Sequence, residues 1–160
     1  MLFFIFAATA VLFGFVLLFG APYLPTLRRE ANAALDMLDL KKGQTLFELG
    51  SGDGRVMKIA AARGLNVVGY ELKPILVLIS RINTWRYRKQ VKVIWGNFWK
   101  ADLSQADGIF VFLLDKFMER IDKKIEGEAK MPVAIVSYAF RIPHKKPTKS
   151  KGGLFLYEYK

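Results

Sequence analysis

The sequence predicts an α/β fold, an open parallel sheet with helices on both faces, preceded by one N-terminal transmembrane helix. Three observations support this prediction. Short, almost continuously apolar segments alternate with segments of helical periodicity, as in sheets covered on both faces. A cluster of glycines separates the first of these apolar segments from the helix after it. The 25 Lys and Arg and the 14 Asp and Glu, a net charge of +11, all follow an uncharged apolar run.

The composition excludes several classes of protein. A hydrophobic content of 52% with 13 Phe is too high for a disordered chain. The absence of cysteine excludes disulfide frameworks, zinc ribbons, iron–sulfur clusters and thiol nucleophiles. His144 is the only histidine, so no site can use two, and we expect no metal. We predict an anchor over residues 1–21, a linker and helix over 22–43, and one folded domain over 44–160.

The anchor is predicted from residues 2–21, which carry no charge and only Thr9 as a polar side chain. Twenty helical residues rise about 30 Å, the thickness of a bilayer's hydrocarbon core. The alternative, a cleaved signal peptide, has a basic start, a shorter apolar run and a small-x-small cleavage site. No Lys or Arg precedes this run, and Phe19 stands where the cleavage site requires a small residue.

The flanks of the anchor predict its orientation. Arg28, Arg29, Lys41 and Lys42 follow the apolar run, whereas no basic residue precedes it. Because positive charge stays on the cytoplasmic side, we expect a single-pass membrane protein with its C-terminal domain in the cytoplasm or the equivalent matrix of an organelle.

The elements after the anchor follow from periodicity and from turn residues. Thr26 is expected to cap a helix whose apolar residues are spaced 4, 3, 1 and 3 apart and which ends at Lys41-Lys42-Gly43. A strand over 45–49 leads through the glycine cluster to a helix over 55–63. Further strands are predicted over 66–70, 91–95, 108–114, 133–138 and 154–159. Pro74 begins a long helix, and a last helix carries Phe117, Met118, Ile121 and Ile125.

The segment Glu48-Leu49-Gly50-Ser51-Gly52-Asp53-Gly54-Arg55 carries the chemistry. Glycines at 50, 52 and 54 allow a tight turn and close approach of a ligand, and the following helix presents unpaired N–H groups. Glu71 ends the next strand about 20 residues later, where a carboxylate can accept hydrogen bonds from both hydroxyls of a ribose. An ordinary tight turn is the alternative. Glu48 would repel a pyrophosphate, but it suits a cofactor with an ammonium and a sulfonium.

This pattern resembles the class I S-adenosylmethionine methyltransferases. The resemblance implies that Glu48 and the loop over 50–54 hold the amino-acid part of S-adenosylmethionine, that Glu71 holds its ribose and that Asn97 reads its adenine amine. Phe98 or Leu72 would pack on the adenine face or, alternatively, belong to the core. The cofactor-binding residues implied are Thr26, Glu48, Gly50, Ser51, Gly52, Asp53, Gly54, Glu71, Leu72, Asn97 and Phe98.

Further segments are similar to one subgroup of these enzymes. It contains the mitochondrial lysine methyltransferases of the ATP synthase c-subunit and the adenine nucleotide translocase, and small archaeal protein lysine methyltransferases. The resemblance implies a Rossmann-like sheet of seven strands, whose last strands are shortened here, and a protein substrate methylated on lysine. The matching segments are Pro22-Tyr23-Leu24-Pro25-Thr26, Gly69-Tyr70-Glu71-Leu72-Lys73-Pro74, Ser80-Arg81, Phe112-Leu113-Leu114, Val136-Ser137-Tyr138-Ala139-Phe140 and Pro143-His144.

A lysine ammonium has no lone pair, so the substrate amine must lose a proton before it is methylated. An aromatic channel favours the neutral amine by desolvating the charged one. Tyr23, Tyr138 and Phe140 are the predicted walls of this channel and the predicted catalytic residues. His144 is a weaker candidate, because a single histidine in a loop is more often simply solvated.

The basic charge predicts an acidic partner. Residues 81–100 hold six Lys or Arg and no acid, and residues 141–160 hold six against Glu158. Such a surface suits an anionic bilayer beside the anchor, suits a nucleic acid equally, or is only solvated. Leu76 and Val77 lie off the inward apolar stripe of their predicted helix, so we expect them to contact lipid or a membrane-embedded substrate.

The sequence thus predicts a membrane-anchored lysine methyltransferase acting on membrane-associated proteins. One alternative is an RNA or small-molecule methyltransferase, which the charge favours. The absence of an Asn/Asp-Pro-Pro-Tyr motif after the fourth strand argues against base amines as substrates, so we expect nucleic acid not to be the partner. The other alternative is an inactive, membrane-tethered domain that binds a nucleotide or nucleic acid.

Overall fold

The computed structural model describes residues 25–160. The predicted transmembrane helix and Tyr23 lie outside the described residues. Within residues 25–160, no helix combines the length and the apolar character that crossing a bilayer requires.

The sheet of the described chain has seven strands, as predicted. Five parallel strands take the order β3-β2-β1-β4-β5, and the antiparallel β7 and then β6 complete the sheet beside β5. The chain order reverses between β1 and β4, so the carboxyl ends of these strands border a crevice where open α/β sheets bind ligands. The strands are β1 (Thr45–Leu49), β2 (Asn66–Glu71), β3 (Val91–Trp95), β4 (Gly108–Val111), β5 (Val133–Tyr138), β6 (Lys149–Lys151) and β7 (Leu154–Tyr159).

Helices cover both faces of the sheet. Alternate residues of a strand point to opposite faces, so Leu46 of β1 joins one buried cluster and Phe47 the other. The first three helices cover the face of Leu46, and the fourth covers the face of Phe47. The helices are α1 (Arg28–Leu38), α2 (Arg55–Ala62), α3 (Pro74–Thr84) and α4 (Met118–Glu128), with short 3₁₀ helices at Trp85–Tyr87, Phe98–Lys100 and Asp115–Phe117.

Several boundaries differ from the sequence prediction. Thr26 does not cap α1; Leu27 occupies the N-cap position without a side-chain hydrogen bond. The helix ends three residues before Lys41, because Asp39 adopts a left-handed conformation with a φ of 48°. The basic segment over 145–151, for which no strand was predicted, contains the short strand β6. The last strands were predicted to be shortened; β6 has only three residues, all exposed, whereas β7 has six.

The prediction for α3 was wrong about which face is buried. Val77, Ser80 and Thr84 point inward and are buried, whereas the apolar stripe of the helix points outward. Val77 therefore contacts the core rather than lipid. Small inward residues allow α3 to lie close to α2, because a Cβ on Gly54 would come within 3.1 Å of the Ser80 Cα and closer still to its hydroxyl.

Replacing Gly54 by Ala is expected to lower the free energy of unfolding by about 2–4 kcal/mol, through strain at its φ of +77° and through the collision with Ser80. Urea denaturation measures this difference. Gly127→Ala in α4 is the control, because a Cβ there meets no atom within 4 Å and should stabilise the helix by about 0.5–1 kcal/mol. Equal effects of the two substitutions would contradict the close packing of α2 on α3.

Candidate functional site

A cavity of about 470 Å³ opens at the carboxyl ends of β1, β2, β4 and β5. Its volume is within the range of small-molecule sites. It gathers nine of the residues predicted from the sequence: Thr26, Glu48, Gly50, Ser51, Gly52, Asp53, Glu71, Leu72 and Phe140.

The glycine loop between β1 and α2 forms one wall of the cavity. Gly50 and Gly52 have φ angles of +97° and +55°, which L side chains rarely adopt. The amides of Gly50 and Ser51 both donate to the carbonyl of Tyr70, at 3.0 Å and 2.8 Å. The loop is thus fastened to the end of β2, and a Cβ on Gly50 would meet no protein atom within 4 Å. The open space beside this backbone is available to a ligand.

Glu71, the residue after Tyr70 at the end of β2, holds the same loop as well. One carboxylate oxygen accepts from the Gly52 amide at 2.9 Å, and the other accepts from the Lys73 amide at 2.9 Å. A carboxylate has about four acceptor positions, so both oxygens can accept further hydrogen bonds. Glu71 therefore organises the loop and can still accept from two hydroxyl groups of a ligand.

Glu48 is the buried acid of the site. Only 4% of this residue is exposed, and its Oε2 has no hydrogen-bond partner among the described residues. Burial raises the pKa of its carboxyl well above the usual range; the nearby charges of Asp53 and Glu71 raise it further, whereas the hydrogen bond from the Met57 amide lowers it. A buried oxygen without a partner indicates a missing donor, and a cationic group in the cavity would supply both the hydrogen bond and the charge.

Two polar groups lie beside this acid. The hydroxyl of Ser51 is also buried without a partner among residues 25–160. Asp53 forms a bidentate ion pair with Arg55, with a shortest distance of 2.8 Å, and the Arg55 guanidinium also donates to the Thr26 carbonyl at 3.4 Å. Arg55 thus ties the segment before α1 to the glycine loop at the cavity.

Apolar side chains form the opposite wall. Phe112, Leu113 and Leu114 follow β4, and Phe117 and Phe140 complete the surface. Tyr138 does not line the cavity. Its ring packs at 4.7 Å from that of Phe112, so it supports the wall from behind.

The other predicted site residues lie elsewhere. Gly54 packs against Ser80 and does not line the cavity. Asn97 is exposed and accepts the Trp99 amide at 3.0 Å, which caps a 3₁₀ helix, while Phe98 packs in the core beside Trp99. Tyr23 lies outside the described residues, and His144 is an exposed loop residue away from the cavity.

Sequence reasoning missed more than half of the lining residues. Phe112, Leu113 and Leu114 form a recognisable motif, but nothing in the sequence assigns them to the site. Leu76, expected only to contact lipid or a membrane-embedded substrate, lines the cavity, and Lys73 could have been found because it lies two residues after Glu71 at the start of a helix. No sequence signal identifies Phe110 and Phe117, which reach the cavity through the packing of the sheet.

The comparisons with known proteins agree with this geometry. Residues 48–149 match the family described as "ANTKMT methyltransferase domain". The chain is 32% identical to the human (Homo sapiens) lysine N-methyltransferase of the ATP synthase c-subunit, over 82% of this chain and 57% of that protein. It is 31% identical to the mouse (Mus musculus) adenine nucleotide translocase lysine N-methyltransferase, over 82% and 58%. For a protein-lysine N-methyltransferase of Saccharolobus islandicus the identity is 31%, over 76% and 78%.

Solved structures are similar as well. An RNA methyltransferase from Salinibacter ruber in complex with S-adenosyl-L-homocysteine superimposes with a TM-score of 0.78 and 26% identity, over 85% of this chain and 92% of that chain. A geranyl diphosphate methyltransferase in complex with SAM has a TM-score of 0.61 and 18% identity, over 68% and 47%, and shows the fold alone. The resemblance stated from the sequence is confirmed. The chain spans less than two thirds of the length of the human and mouse relatives.

Replacing Glu48 by Gln is expected to stabilise the ligand-free protein at neutral pH. Because the pKa of Glu48 is higher in the folded than in the unfolded chain, its favourable contribution is present below about pH 4.5 and is lost as the pH rises through the folded value. Urea denaturation near pH 4.5 and near pH 7.5 should therefore show a gap in favour of Glu48→Gln that grows with pH.

The control for this prediction is Glu71→Gln. The amide keeps one acceptor oxygen for two backbone donors, so unfolding should become easier by about 1–2 kcal/mol. If the stability gap between wild type and Glu48→Gln shrank as the pH rose, the assigned direction of the Glu48 pKa would be wrong.

Proposed function

This chain belongs to the ANTKMT methyltransferase domain family, and we propose that it transfers methyl groups from S-adenosylmethionine to lysine side chains of proteins. The predicted cofactor agrees with the SAM- and S-adenosyl-L-homocysteine-bound neighbours of the same fold. The observation that carries the proposal is the buried Oε2 of Glu48, which has no partner among residues 25–160 and lies beside the glycine loop. A carboxylate there would repel a nucleotide phosphate and attract an α-ammonium group.

The residues of the cavity fit the parts of this cofactor. Glu48 would accept a hydrogen bond from its α-ammonium group, with the Ser51 hydroxyl beside it. Glu71 retains acceptor capacity for the two ribose hydroxyls. Leu72, which is 56% exposed at the rim, offers an apolar surface for the adenine ring. Asn97 remains a candidate for the adenine amine only if the ligand reaches beyond the cavity.

Lysine methylation requires a neutral amine close to the methyl donor. When bound, S-adenosylmethionine supplies a methyl group on a positively charged sulfur, and a neutral thioether leaves. The lysine nitrogen forms its new bond to carbon with the electron pair freed by prior loss of a proton, at a cost of about 4–5 kcal/mol at neutral pH. The wall of Phe112, Phe117 and Phe140 desolvates this nitrogen and so lowers that cost.

Protein lysine is the substrate class that the relatives support best. Relatives from animals and from an archaeon are named as lysine N-methyltransferases. The segment after β4 reads Phe112-Leu113-Leu114-Asp115, which lacks the polar Asn/Asp-Pro-Pro-Tyr grip for planar amines. Apolar side chains at this position suit the alkyl stem of a lysine.

RNA is the second candidate substrate. It is favoured by the similarity to the Salinibacter ruber RNA methyltransferase and by the net charge of +11. Because that similarity extends over the whole fold rather than a particular substrate surface, we rank it second.

We also propose that residues 2–21 anchor the chain in a membrane with the catalytic domain on the cytoplasmic or matrix-equivalent side. The length and apolar character of this segment and the basic residues that follow it support the proposal. Anchoring confines the enzyme and its target to one surface and raises their effective concentration. The proposed substrates are accordingly lysines of membrane-associated proteins.

Binding of S-adenosylmethionine to the full chain is expected to release a proton at pH values below both the raised pKa of the Glu48 carboxyl and the pKa near 8 of the ligand's α-amino group. The positively charged ligand would favour the ionised form of Glu48. The dissociation constant of S-adenosylmethionine should therefore fall as the pH rises, by up to about tenfold per pH unit. Calorimetry in two buffers of different ionisation enthalpy measures the proton. Glu48→Gln should bind more weakly and without proton release, and an unchanged proton release in that variant would refute the assignment.

Methyl groups from labelled S-adenosylmethionine are expected to enter the protein fraction of membranes rather than RNA. Acid hydrolysis should then yield methylated lysine. Phe140→Ala should reduce this transfer by about tenfold or more, because the amine is left better solvated, while Tyr138→Phe should leave it within about twofold. Label confined to RNA would favour the second candidate, and a larger loss in Tyr138→Phe would restore Tyr138 as a wall of the channel.

A further inference from the structure

The outward side of α3, with the residue that follows it, carries five of the nine large apolar side chains that are exposed among the described residues. Four side chains of the helix and the tryptophan that follows it form one stripe, which we call the α3 outer face. Ile82 and Trp85 are each 66% exposed and Ile75 is 62% exposed. A contiguous apolar surface of this kind marks an interaction site. The α3 outer face consists of Ile75, Leu78, Ile79, Ile82 and Trp85.

The exposure of this stripe follows from the packing of the fold. The inward positions hold Val77, Ser80 and Thr84, and the hydroxyl of Thr84 donates to the Ser80 carbonyl at 2.7 Å. Rotating α3 to bury the isoleucines would drive large side chains against α2, where Gly54 leaves no space. The apolar stripe is therefore held outward, and no element of residues 25–160 covers it.

Basic side chains surround the α3 outer face. Residues 72–101 contain seven Lys or Arg and no Asp or Glu. Arg81 lies on α3 itself, and the guanidinium of Arg88 stacks 5.0 Å from the ring centre of Trp85. Trp95, 66% exposed, donates to the Leu72 carbonyl at 3.1 Å and so lies beside the start of the helix. Helices that lie in a bilayer interface have this composition, with apolar side chains, tryptophans and basic residues on one surface.

We propose that the α3 outer face inserts into the interfacial layer of an anionic lipid bilayer. The aliphatic side chains would enter the boundary between headgroups and acyl chains, and the arginines and lysines would contact lipid phosphates. The positive charge favours lipid rather than a second copy of this chain as the occupant. Two copies in contact at this surface would bring their basic residues together. The surface is also a convex helix rather than a groove for a peptide.

Because the α3 outer face lies near the cavity, its docking to a membrane would affect which substrates reach the site. Leu72, Lys73 and Leu76, at the start of α3, line the cavity. Pro25, where the described chain begins after the apolar residues 2–21, lines it too. The cavity therefore lies next to both the docked helix and the segment that follows the anchor. This consequence rests on the proposed function: the substrate lysine would lie at the membrane surface.

Tryptophan fluorescence tests the docking without any measurement of activity. The chain has three tryptophans, at 85, 95 and 99, and none in residues 1–24, so the anchor contributes no signal. The full chain is reconstituted into phosphatidylcholine–phosphatidylglycerol vesicles containing lipids brominated near the headgroup. In Trp99→Phe, the emission of Trp85 and Trp95 is expected to be largely quenched, and less so in vesicles of phosphatidylcholine alone.

The matched control reports the opposite face of the sheet. In the double variant Trp85→Phe/Trp95→Phe, only Trp99 emits; it packs between Phe98 and Phe117 under Arg120 and should remain unquenched.

A second pair of variants tests the surface itself. Quenching in Trp99→Phe should be abolished by the added substitutions Leu78→Glu/Ile82→Glu. It should persist with Lys58→Glu/Ala62→Glu, which lie on the exposed side of α2.

Other occupants of the surface give different results. Equal quenching of Trp99 and of the pair at 85 and 95, or none of either, would overturn the proposal. Because the chain has no cysteine, Ile82→Cys provides a unique thiol. A disulfide dimer of this variant in the vesicles would identify a second copy as the occupant and overturn lipid docking. Quenching without any methyl transfer would refute the proposed function and leave the docking intact.

Discussion

The burial of Glu48 is the constraint on which the site depends. A carboxyl group at the end of a central strand, under the first turn of α2, loses its hydration and recovers only one backbone hydrogen bond. Its second oxygen is buried without a partner in the described chain, in a residue that lines the cavity. The rest of the fold offsets this cost in free energy, because α2, the glycine loop and Glu71 stabilise one another. A site of this kind is poorly satisfied when empty and well satisfied by a cation, which makes binding selective for charge.

The glycine loop shows how one short segment serves two packing requirements. Gly50 and Gly52 provide backbone conformations that leave room beside the cavity, whereas Gly54 allows α3 to approach α2. That close approach is possible only with small residues on the inner side of α3. The large apolar residues of the helix are then displaced to its outer side. The same glycine-rich segment therefore leaves room beside the cavity and allows the helix contact that leaves the apolar surface exposed.

Much of the fold and part of the site were predictable from residue patterns. The strands β1, β3, β5 and β7 and the burial of Ala31, Ala34, Leu35 and Leu38 follow from periodicity, because each repeats one local geometry over several residues. Glu48, Glu71 and the glycine loop were predictable because the motif lies within a single strand–turn–helix unit. The apolar wall was not, since it is assembled from residues far apart in the chain. Tyr138 was predicted to line the site, but its ring packs against that of Phe112 and does not line the cavity.

By itself, the sequence determined the alternation of strands and helices, the position of the acidic, glycine-rich turn and the family of the chain. These depend on local spacing, which the chain carries wherever it folds. Only the tertiary structure decided which side of α3 is buried, that Glu48 lacks a partner within residues 25–160 and that Asn97 caps a 3₁₀ helix outside the cavity. Helical periodicity identifies an apolar stripe, but it cannot tell whether a neighbouring element has room for that stripe. The clearance between α2 and α3 is set by residues 26 positions apart, Gly54 and Ser80, and is settled only when both helices pack on the sheet.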